Sequence, residues 1–315
     1  PGTVTESCML EESRNNYFAA LYGCDGKYGL AFCDISTGEF CASSFENDAQ
    51  THIINELGRF SPREAVLSSA ALDDKAITGF LKAKLNALLE GDKGRFEFLP
   101  GAIRMCNQFG FSDVDEAGLG SESGAVCAVG ALLSYIEETQ KFDLSHINRL
   151  DVFFGGRYME LDWTTRKSLE LTESLRSGEK RGSLLWVLDK TKTPMGGRLM
   201  RSWLEKPLLD PVEITRRHGA VEDLVNSTIV RGELSQALAE VSDLERVMTR
   251  IVTGTVNGRE LLGLARGCRA LPEVRAQLDR LEAPMLRKLL NSIDPLTDLA
   301  DLIENTLVDE PPITI

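Results

Sequence analysis

Two acidic side chains flank a short turn and could bind a metal ion. Asp34 and Glu39 lie on either side of residues 36–38, between segments rich in strand-forming residues. Carboxylates that converge near strands can hold Mg²⁺ in a metal-dependent nuclease. We favour the simpler interpretation, in which Asp34 accepts hydrogen bonds from turn amides and Glu39 is solvated. A two-metal site needs further carboxylates, and the remaining candidates are better explained as a helix cap and a loop: Asp73, Asp74 and Asp92.

Other catalytic motifs are absent from the sequence. The three histidines have no Cys, Asp or Glu partner at metal-ligand spacing: His52, His146 and His218. No Gly-x-Ser-x-Gly elbow occurs, and Gly26-Lys27 is not followed by the Ser or Thr of a phosphate-binding loop. We therefore predict no catalytic, cofactor-binding or metal-binding residue in this chain, and no cofactor.

A Gly-rich segment at 195–198 lies inside a helix that Thr193-Pro194 is expected to begin. Its two glycines most simply permit close helix contact. The basic residues that follow form a modest face that predicts solvated charge: Arg198, Arg201 and Lys206. The tryptophans adjoin leucines on predicted helices and are expected to anchor cores: Trp163, Trp186 and Trp203.

The first part of the chain predicts a small α/β domain. Strand-forming segments at 17–22, 28–35 and 39–45 are separated by turns, which predicts a three-stranded antiparallel meander with Asp25-Gly26 in its first turn. A helix capped by Asn47 or Asp48 and a strand at 65–67 follow. The apolar residues expected on helices are Ile53, Ile54 and Leu57 on the first, and Ile77, Leu81, Leu85, Leu88 and Leu89 on the second.

An acidic, Gly-rich stretch at 107–123 lacks apolar periodicity and predicts a domain boundary. We therefore divide the chain into residues 1–118 and a helical bundle over residues 119–315. The bundle is expected to begin with a helix from Ser121 or Ser123 to Lys141. A strand pair is predicted around Gly155-Gly156, at 150–154 and 158–161. Further helices are predicted at 163–175, 212–225, 228–239, 242–253, 257–270, 273–281, 284–291 and 295–307.

Composition limits the classes of function. The chain of 315 residues carries a net charge of −13, which opposes association with DNA phosphates. Its seven scattered cysteines contain no Cys-x-x-Cys pair and predict a reducing, cytoplasmic location. No signal peptide is evident, and the longest apolar run, 126–133, is far below the roughly 18 residues of a membrane span. The strand-like ending at 311–315 predicts a piece of a longer protein.

Long motifs resemble the MutS family of DNA mismatch-recognition proteins. The matching segments are 158–162, 165–172, 183–199, 203–208, Asp243-Leu244-Glu245-Arg246 with Arg250, and, near the start, 1–3, 16–21 and 34–40. The resemblance implies a ribonuclease-H-like α/β connector over residues 1–118, followed by the first part of the mostly α-helical core, or lever, over residues 119–315. The family's Phe-x-Glu wedge, clamp and ATPase have no counterpart here, so the chain is expected not to be an enzyme.

The mechanism implied by the resemblance is transmission between the DNA-gripping end and the ATPase. Leu199, Trp203 and Leu204, with an elbow at Pro207, are the candidates for the packing that carries it. The implied partners are MutL, mismatched duplex DNA through domains outside this chain, and a second subunit in the full-length homodimer, with this fragment itself monomeric. ATP and Mg²⁺ belong to the full-length family. The alternatives are a metal-dependent nuclease and a helical scaffold unrelated to repair.

Overall fold

The computed structural model describes residues 11–24, 26–46, 49–119, 123–140, 143–153 and 158–312, and the chain divides into two compact units. The α/β unit comprises Pro1–Gly155 and Glu160–Glu179, and the helical unit comprises Gly156–Met159 and Lys180–Ile315. Among the described residues, no helix is both long enough and apolar enough to cross a bilayer.

A six-stranded mixed sheet forms the centre of the α/β unit. Its strands are β1 (Phe18–Cys24), β2 (Lys27–Asp34), β3 (Glu39–Glu46), β4 (Glu64–Leu67), β5 (Leu88–Gly91) and β6 (Asp151–Val152). They lie in the order β5-β4-β1-β2-β3-β6. The pairs β1–β2 and β2–β3 are antiparallel and the others are parallel. The predicted three-stranded meander and the predicted strand at 65–67 are therefore confirmed. The expected turn and cap residues Asp25, Asn47 and Asp48 lie outside the described residues.

Apolar clusters cover both faces of the sheet. Because successive side chains of a strand point to opposite faces, Phe18 and Ala20 of β1 join one cluster, and Ala19 and Leu21 join the other. The second cluster is completed by α1 (Ala49–Phe60), α2 (Ser69–Asp73) and α3 (Lys75–Ala83). The buried apolar residues of α1 and α3 include the predicted Ile53, Leu57, Ile77 and Leu81.

The predicted continuation of the α3 helix through Leu88 and Leu89 is wrong. The helix ends at Ala83, and the backbone of Asn86 then adopts a left-handed φ of 54° before β5 begins. Leu89 packs against the cluster of α1 and α3 from the strand. The spacing of apolar residues that is typical of a helix therefore continues by chance into a strand at the edge of the sheet.

The opposite face of the sheet is covered by α4 (Phe98–Phe109) and α5 (Ser123–Thr139). The side chains of α5 are buried nearly all round, and Val126, Val129 and Leu132 are fully inaccessible. This position corrects the predicted boundary between residues 118 and 119, since a helix assigned to the second domain completes the core of the first unit. The compact units divide instead at residues 155 and 179.

Glycines allow α5 to lie directly against its neighbours. A Cβ atom added to Gly130 would lie 2.2 Å from the Cα of Gly101 on α4. A Cβ atom added to Gly29 on β2 would lie 2.0 Å from the carbonyl oxygen of Gly124. Any side chain at these positions would separate α5 from α4 or from the sheet.

The predicted strand pair around Gly155-Gly156 does not form between the described segments. Instead, β6 pairs in parallel with β3, and Tyr158 forms an isolated bridge with Leu208. The expected turn itself lies outside the described residues. The backbone on both sides of the expected turn thus pairs with segments that are distant in sequence. A pattern of strand-forming residues within the segment does not predict such partners.

The helix predicted at 163–175 is shorter in the structure. Asp162 caps α6 (Trp163–Ser168), accepting a hydrogen bond from the Thr165 amide as expected. The left-handed φ of 48° at Glu170 then prevents the helix from continuing. Residues 169–179 form turns that remain part of the α/β unit.

The described part of the helical unit contains α7 (Leu184–Leu188), α8 (Pro194–Glu205), α9 (Pro211–Asn226), α10 (Thr228–Ala239), α11 (Leu244–Val252), α12 (Gly258–Asp279), α13 (Pro284–Ser292) and α14 (Thr297–Thr306). The predicted starts of α8 and α9 are confirmed, because Thr193 and Asp210 accept hydrogen bonds from the first turns. The predicted break between helices 257–270 and 273–281 is wrong, since α12 is one helix of 22 residues that contains Pro272. It packs against α10, α13 and α14, and these contacts offset the hydrogen bond that the proline cannot donate.

Candidate functional site

The carboxylates of Asp34 and Glu39 are both occupied by hydrogen bonds. Asp34 is fully buried, and its side chain accepts from the Ser36 amide at 2.9 Å and the Asn16 amide at 3.1 Å. The predicted turn-capping role of Asp34 is confirmed. Glu39, predicted to be solvated, instead accepts from the Tyr17 hydroxyl at 2.7 Å and is half-buried.

The surroundings of Tyr17 reflect this packing. Burial, and then the nearby Glu39 carboxylate, raise the pKa of the Tyr17 phenol well above its usual range. The phenol therefore stays protonated and donates to the carboxylate. Asp34 and Glu39 thus stabilise the turn between β2 and β3 by accepting hydrogen bonds from backbone amides and from a tyrosine hydroxyl. This arrangement is typical of carboxylates with a structural role.

The described residues contain no group of three or more His, Cys, Asp or Glu side chains placed to hold a metal ion. Asp74 caps α3, accepting from the Ala76 amide at 2.9 Å, and Asp92 accepts from the Gly94 amide at 2.8 Å. These two positions are the cap and the loop that the sequence predicts.

The histidines occupy three different settings. His146 donates from Nε2 to the carbonyl of Ile35 at 2.9 Å, and burial lowers the pKa of its imidazole. His52 lies 3.9 Å from the Glu160 carboxylate, and His218 is exposed on α9. The hydrogen bond to Ile35 thus fixes the orientation of the His146 ring.

The glycines at the start of α8 serve the helix itself. A Cβ atom on Gly196 would lie 3.0 Å from Oγ1 of Thr193, the cap residue, and 3.2 Å from the Thr191 side chain. Gly197, the next residue of α8, is buried. The glycine pair thus allows the capping segment to fold closely over the helix start, rather than providing a phosphate loop.

A buried ion-pair cluster joins the start of α8 to the start of α11. Arg198 follows the Thr193 cap by about one turn, and both terminal nitrogens of its guanidinium donate to Asp243 at 2.7 Å. One of them also donates to Glu245 at 2.6 Å. The partners are 45 and 47 residues away in sequence. We call Arg198, Asp243, Glu245 and Arg246 the α8–α11 cluster.

Local structure positions the acidic side of this cluster. Asp243 is the N-cap of α11 and accepts from the Arg246 amide at 3.4 Å, so its carboxylate is fixed at the helix start. The Arg246 side chain is buried, with its Nε 3.9 Å from Asp243. Negative charge at a helix N-terminus is also favoured by the helix dipole.

The charge of Arg198 is stable in this setting. Burial alone would lower the pKa of its guanidinium, but the hydrogen bonds that Arg198 donates to Asp243 and Glu245 outweigh that effect and raise the pKa. The two-pronged geometry suits a guanidinium and a carboxylate, and a lysine could not reproduce it. The cluster can therefore fix the relative position of two helix starts, and it has no group arranged for bond-breaking chemistry.

A second ion pair continues from α11 to α12. Arg250 lies one turn beyond Arg246, and its Nε is 3.0 Å from the Glu260 carboxylate. Glu260 also closes the capping box of α12 with Asn257. Ionic contacts thus link the start of α8 to the start of α11, and the last turn of α11 to the start of α12.

The predicted basic face on α8 is partly wrong. Arg198 is only 6% exposed and paired, not solvated. Arg201 is half-buried with Glu205 at 3.7 Å, and Lys206 lies 5.9 Å from the centre of the Tyr158 ring. Sequence reasoning missed Asp243 as the partner, although an aspartate followed by Leu-Glu-Arg at a helix start was the available signal.

The tryptophans and the proposed packing residues also differ from expectation. Trp163 is half-buried, but Trp186 is 49% exposed, so its prediction as a core anchor is wrong. Trp203 is 36% exposed, with the Arg217 guanidinium 3.6 Å from the ring centre, so it is not a core anchor either. Leu199 is mostly exposed, whereas the remaining predicted packing residues are half-buried: Leu204 and Pro207.

Comparison with known proteins identifies the family. The family model of MutS domain II matches residues 16–148, and that of MutS domain III matches residues 164–315. The first match includes α5, in agreement with the corrected boundary.

Curated relatives align along the whole chain. Proteins named DNA mismatch repair protein MutS from Symbiobacterium thermophilum, Ruminiclostridium cellulolyticum and Alkaliphilus oremlandii are 40%, 38% and 37% identical over 316, 317 and 320 residues. Each alignment covers 100% of this chain and 36% of the relative, so the chain spans about a third of the length of these proteins. Since the two family models together match nearly all of the sequence, the chain belongs to the MutS family and carries its domains II and III.

Proposed function

We propose that the chain forms the connector and the first part of the lever of a DNA mismatch repair protein. In this role it transmits conformational change between a DNA-gripping end and an ATPase that lie outside the chain. The names of the relatives support this function over a nuclease or an unrelated scaffold. The strand order β3-β2-β1-β4-β5, with the first three strands antiparallel, supports a ribonuclease-H-like connector.

The observation that carries the proposal is the buried pairing of Arg198 with Asp243. Movement passes through a helical bundle only where helices are held tightly enough to shift as units. A two-pronged bond at 2.7 Å between two helix starts resists sliding of α8 along α11, because a shift of even one ångström breaks both hydrogen bonds. The Arg250–Glu260 pair extends the same restraint to α12.

Further parts of the proposal concern partners and location. The whole protein acts in the cytoplasm as a homodimer, binds mismatched duplex DNA through domains beyond this chain, and offers connector surface to MutL. ATP and Mg²⁺ are used by its ATPase and not by this chain, which itself has no enzymatic role and is monomeric. The occupied carboxylates of Asp34 and Glu39 support the non-catalytic role.

A chimaera tests the transmission. This chain would replace the matching segment of the Symbiobacterium thermophilum relative, and binding to a G·T-mismatched duplex and ATP-triggered release would be measured. We expect binding and release in the chimaera, and release slowed about tenfold by Arg198→Met with binding retained. Arg269→Met, which removes an exposed ion pair between α12 and α14, is the matched control and should leave release unchanged. Equal release rates in both variants would contradict the role of the α8–α11 cluster.

The chain alone distinguishes the proposal from the nuclease alternative. With a net charge of −13, we expect duplex binding no tighter than on the order of 10⁻⁴ M near physiological salt, without preference for a mismatch. Fluorescence anisotropy with matched and mismatched duplexes measures this. Incubation with Mn²⁺ and RNA–DNA hybrid should give no cleavage. Cleavage that Asp34→Asn abolishes would instead establish the nuclease.

A further inference from the structure

Most of residues 160–179 match the helical domain in sequence but belong to the α/β unit by contact. The family model of MutS domain III begins at residue 164, yet Glu160–Glu179 pack with the α/β unit. On both sides the chain belongs to the helical unit, with Met159 donating to the carbonyl of Pro207 and Lys180 bound to Asp189. The polypeptide therefore passes between the units at 155/156, 159/160 and 179/180.

Trp163 fits against α1 in a space that a glycine leaves open. A Cβ atom on Gly58 would lie 2.3 Å from Cδ1 of the Trp163 ring. Phe80 of α3 meets the same ring edge-on, with centres 5.3 Å apart. The indole thus occupies the place where any other residue at position 58 would put its side chain.

Polar contacts orient the segment on α1 at the same point. The Trp163 amide donates to Oδ1 of Asn55 at 3.0 Å, and Arg166 donates to the Asn55 carbonyl. Two further ion pairs lie nearer the surface. Glu173 lies 3.1 Å from Arg14, with both side chains about a quarter exposed, and Glu160 lies 3.9 Å from His52, with both about half exposed or more. Ion pairs that water reaches contribute less to stability than buried ones. The docking therefore depends mainly on Trp163, and Leu171 is a second apolar side chain of the segment that is buried.

We propose that residues 160–179 form a strap that docks on and releases from α1, with Trp163 as its latch. The strap contains one short helix and turns, so its docking is local and does not require the sheet to open. When it is docked, the chain crosses between the units three times; when it is released, only the crossing at 155/156 remains. Docking thus sets how freely the two units move. The proposal concerns this chain alone and does not depend on a role in repair.

Hydrogen exchange measured by mass spectrometry on the full chain tests the strap. In the unsubstituted chain we expect the amides of 163–168 to exchange faster than those of β1 and β2, but clearly slower than unstructured amides. Trp163→Ala should accelerate exchange of 163–168 at least tenfold and leave the sheet unchanged. Trp186→Ala removes a tryptophan exposed on α7 and is the control, which should leave the strap unchanged.

A second variant displaces the latch without altering the strap. Gly58→Ala puts a methyl group where the indole lies, while alanine itself favours the α1 helix. It should accelerate exchange of 163–168 as Trp163→Ala does. Gly79→Ala on α3, where the added methyl meets nothing within 4 Å, is its control. Unchanged strap exchange in Gly58→Ala, or equal acceleration of the strap and the sheet, would overturn the proposal.

Discussion

Replacement of Arg198 by methionine should lower the urea concentration at which the helical unit unfolds by more than a single surface substitution would. Arg198→Met keeps most of the aliphatic length but removes the two hydrogen bonds that Arg198 donates to Asp243. The Asp243 side chain is 14% exposed, so water replaces the guanidinium poorly. The substitution therefore creates a nearly buried carboxylate with no close cation, apart from Arg246 at 3.9 Å.

The expected magnitude follows from this geometry. Removing one partner of a buried ion pair costs about 3–5 kcal/mol. We expect the lower end, about 3 kcal/mol, because Asp243 retains some exposure and Arg246 stays nearby. Glu245, which is 48% exposed, should add less than about 1 kcal/mol. In Arg198→Met with Asp243→Asn, asparagine keeps the helix cap and no charge is stranded, so the total loss should be only about 1 kcal/mol.

Urea unfolding followed by tryptophan fluorescence measures both quantities. A Trp163→Phe background restricts the signal to Trp186 and Trp203, which lie in the helical unit. The double-mutant cycle also needs Asp243→Asn alone, and its cost adds to the difference of about 2 kcal/mol between Arg198→Met and the double variant. The coupling between Arg198 and Asp243 should therefore be at least about 2 kcal/mol. A loss below about 1 kcal/mol for Arg198→Met, or additive effects in the double variant, would refute the assignment of a desolvated, mutually dependent pair.

Three further changes test other parts of the structure. Gly130→Ala should destabilise the α/β unit by about 1–3 kcal/mol in urea, because its methyl meets the α4 backbone, whereas Gly79→Ala should be neutral or slightly stabilising. The lowered pKa of His146 means that the folded state binds fewer protons than the unfolded state, so the urea midpoint should fall as pH drops below about 6.5 and fall less in His146→Gln. Asp34→Asn should cost about 1–3 kcal/mol in the same assay, because an amide donor then faces a backbone donor.

Specific outcomes would contradict each expectation. Equal unfolding midpoints for the two glycine variants would show that α4 and α5 separate without cost. The same pH profile in His146→Gln as in the unsubstituted chain would assign the pH dependence to other groups. Unchanged stability in Asp34→Asn would show that the buried hydrogen bonds of Asp34 do not contribute to the free energy of unfolding, and would favour a metal-binding role instead.

Local patterns in the sequence were enough to predict much of the fold. The meander of β1, β2 and β3 follows from strand-forming segments separated by turns, and the starts of α8 and α9 follow from cap residues with a proline behind them. Both signals arise from contacts within a few residues. Such contacts are the part of folding that a single sequence displays directly.

Errors arose where partners lie far apart along the chain. Helix α5 is apolar nearly all round, which identifies a buried helix but not which unit buries it. Arg198 looked solvated because its carboxylates are 45 and 47 residues away. Trp163 and Trp186 both lie in short helices, and it is the packing of Trp163 on Gly58 and Phe80, which are distant in sequence, that distinguishes the docked ring from the exposed one.

The location of α5 also determines when the α/β unit can fold during synthesis. The five strands β1 to β5 are complete by residue 91, but α5, which completes the cover of one face of the sheet, ends at Thr139, and β6 follows at Asp151–Val152. Until those residues leave the ribosome, Phe18, Ala31 and Phe40 lack the apolar cover that α5 provides on that face. The nascent chain therefore carries an exposed apolar sheet surface through the synthesis of roughly fifty residues, an interval in which association with another chain or a chaperone competes with folding.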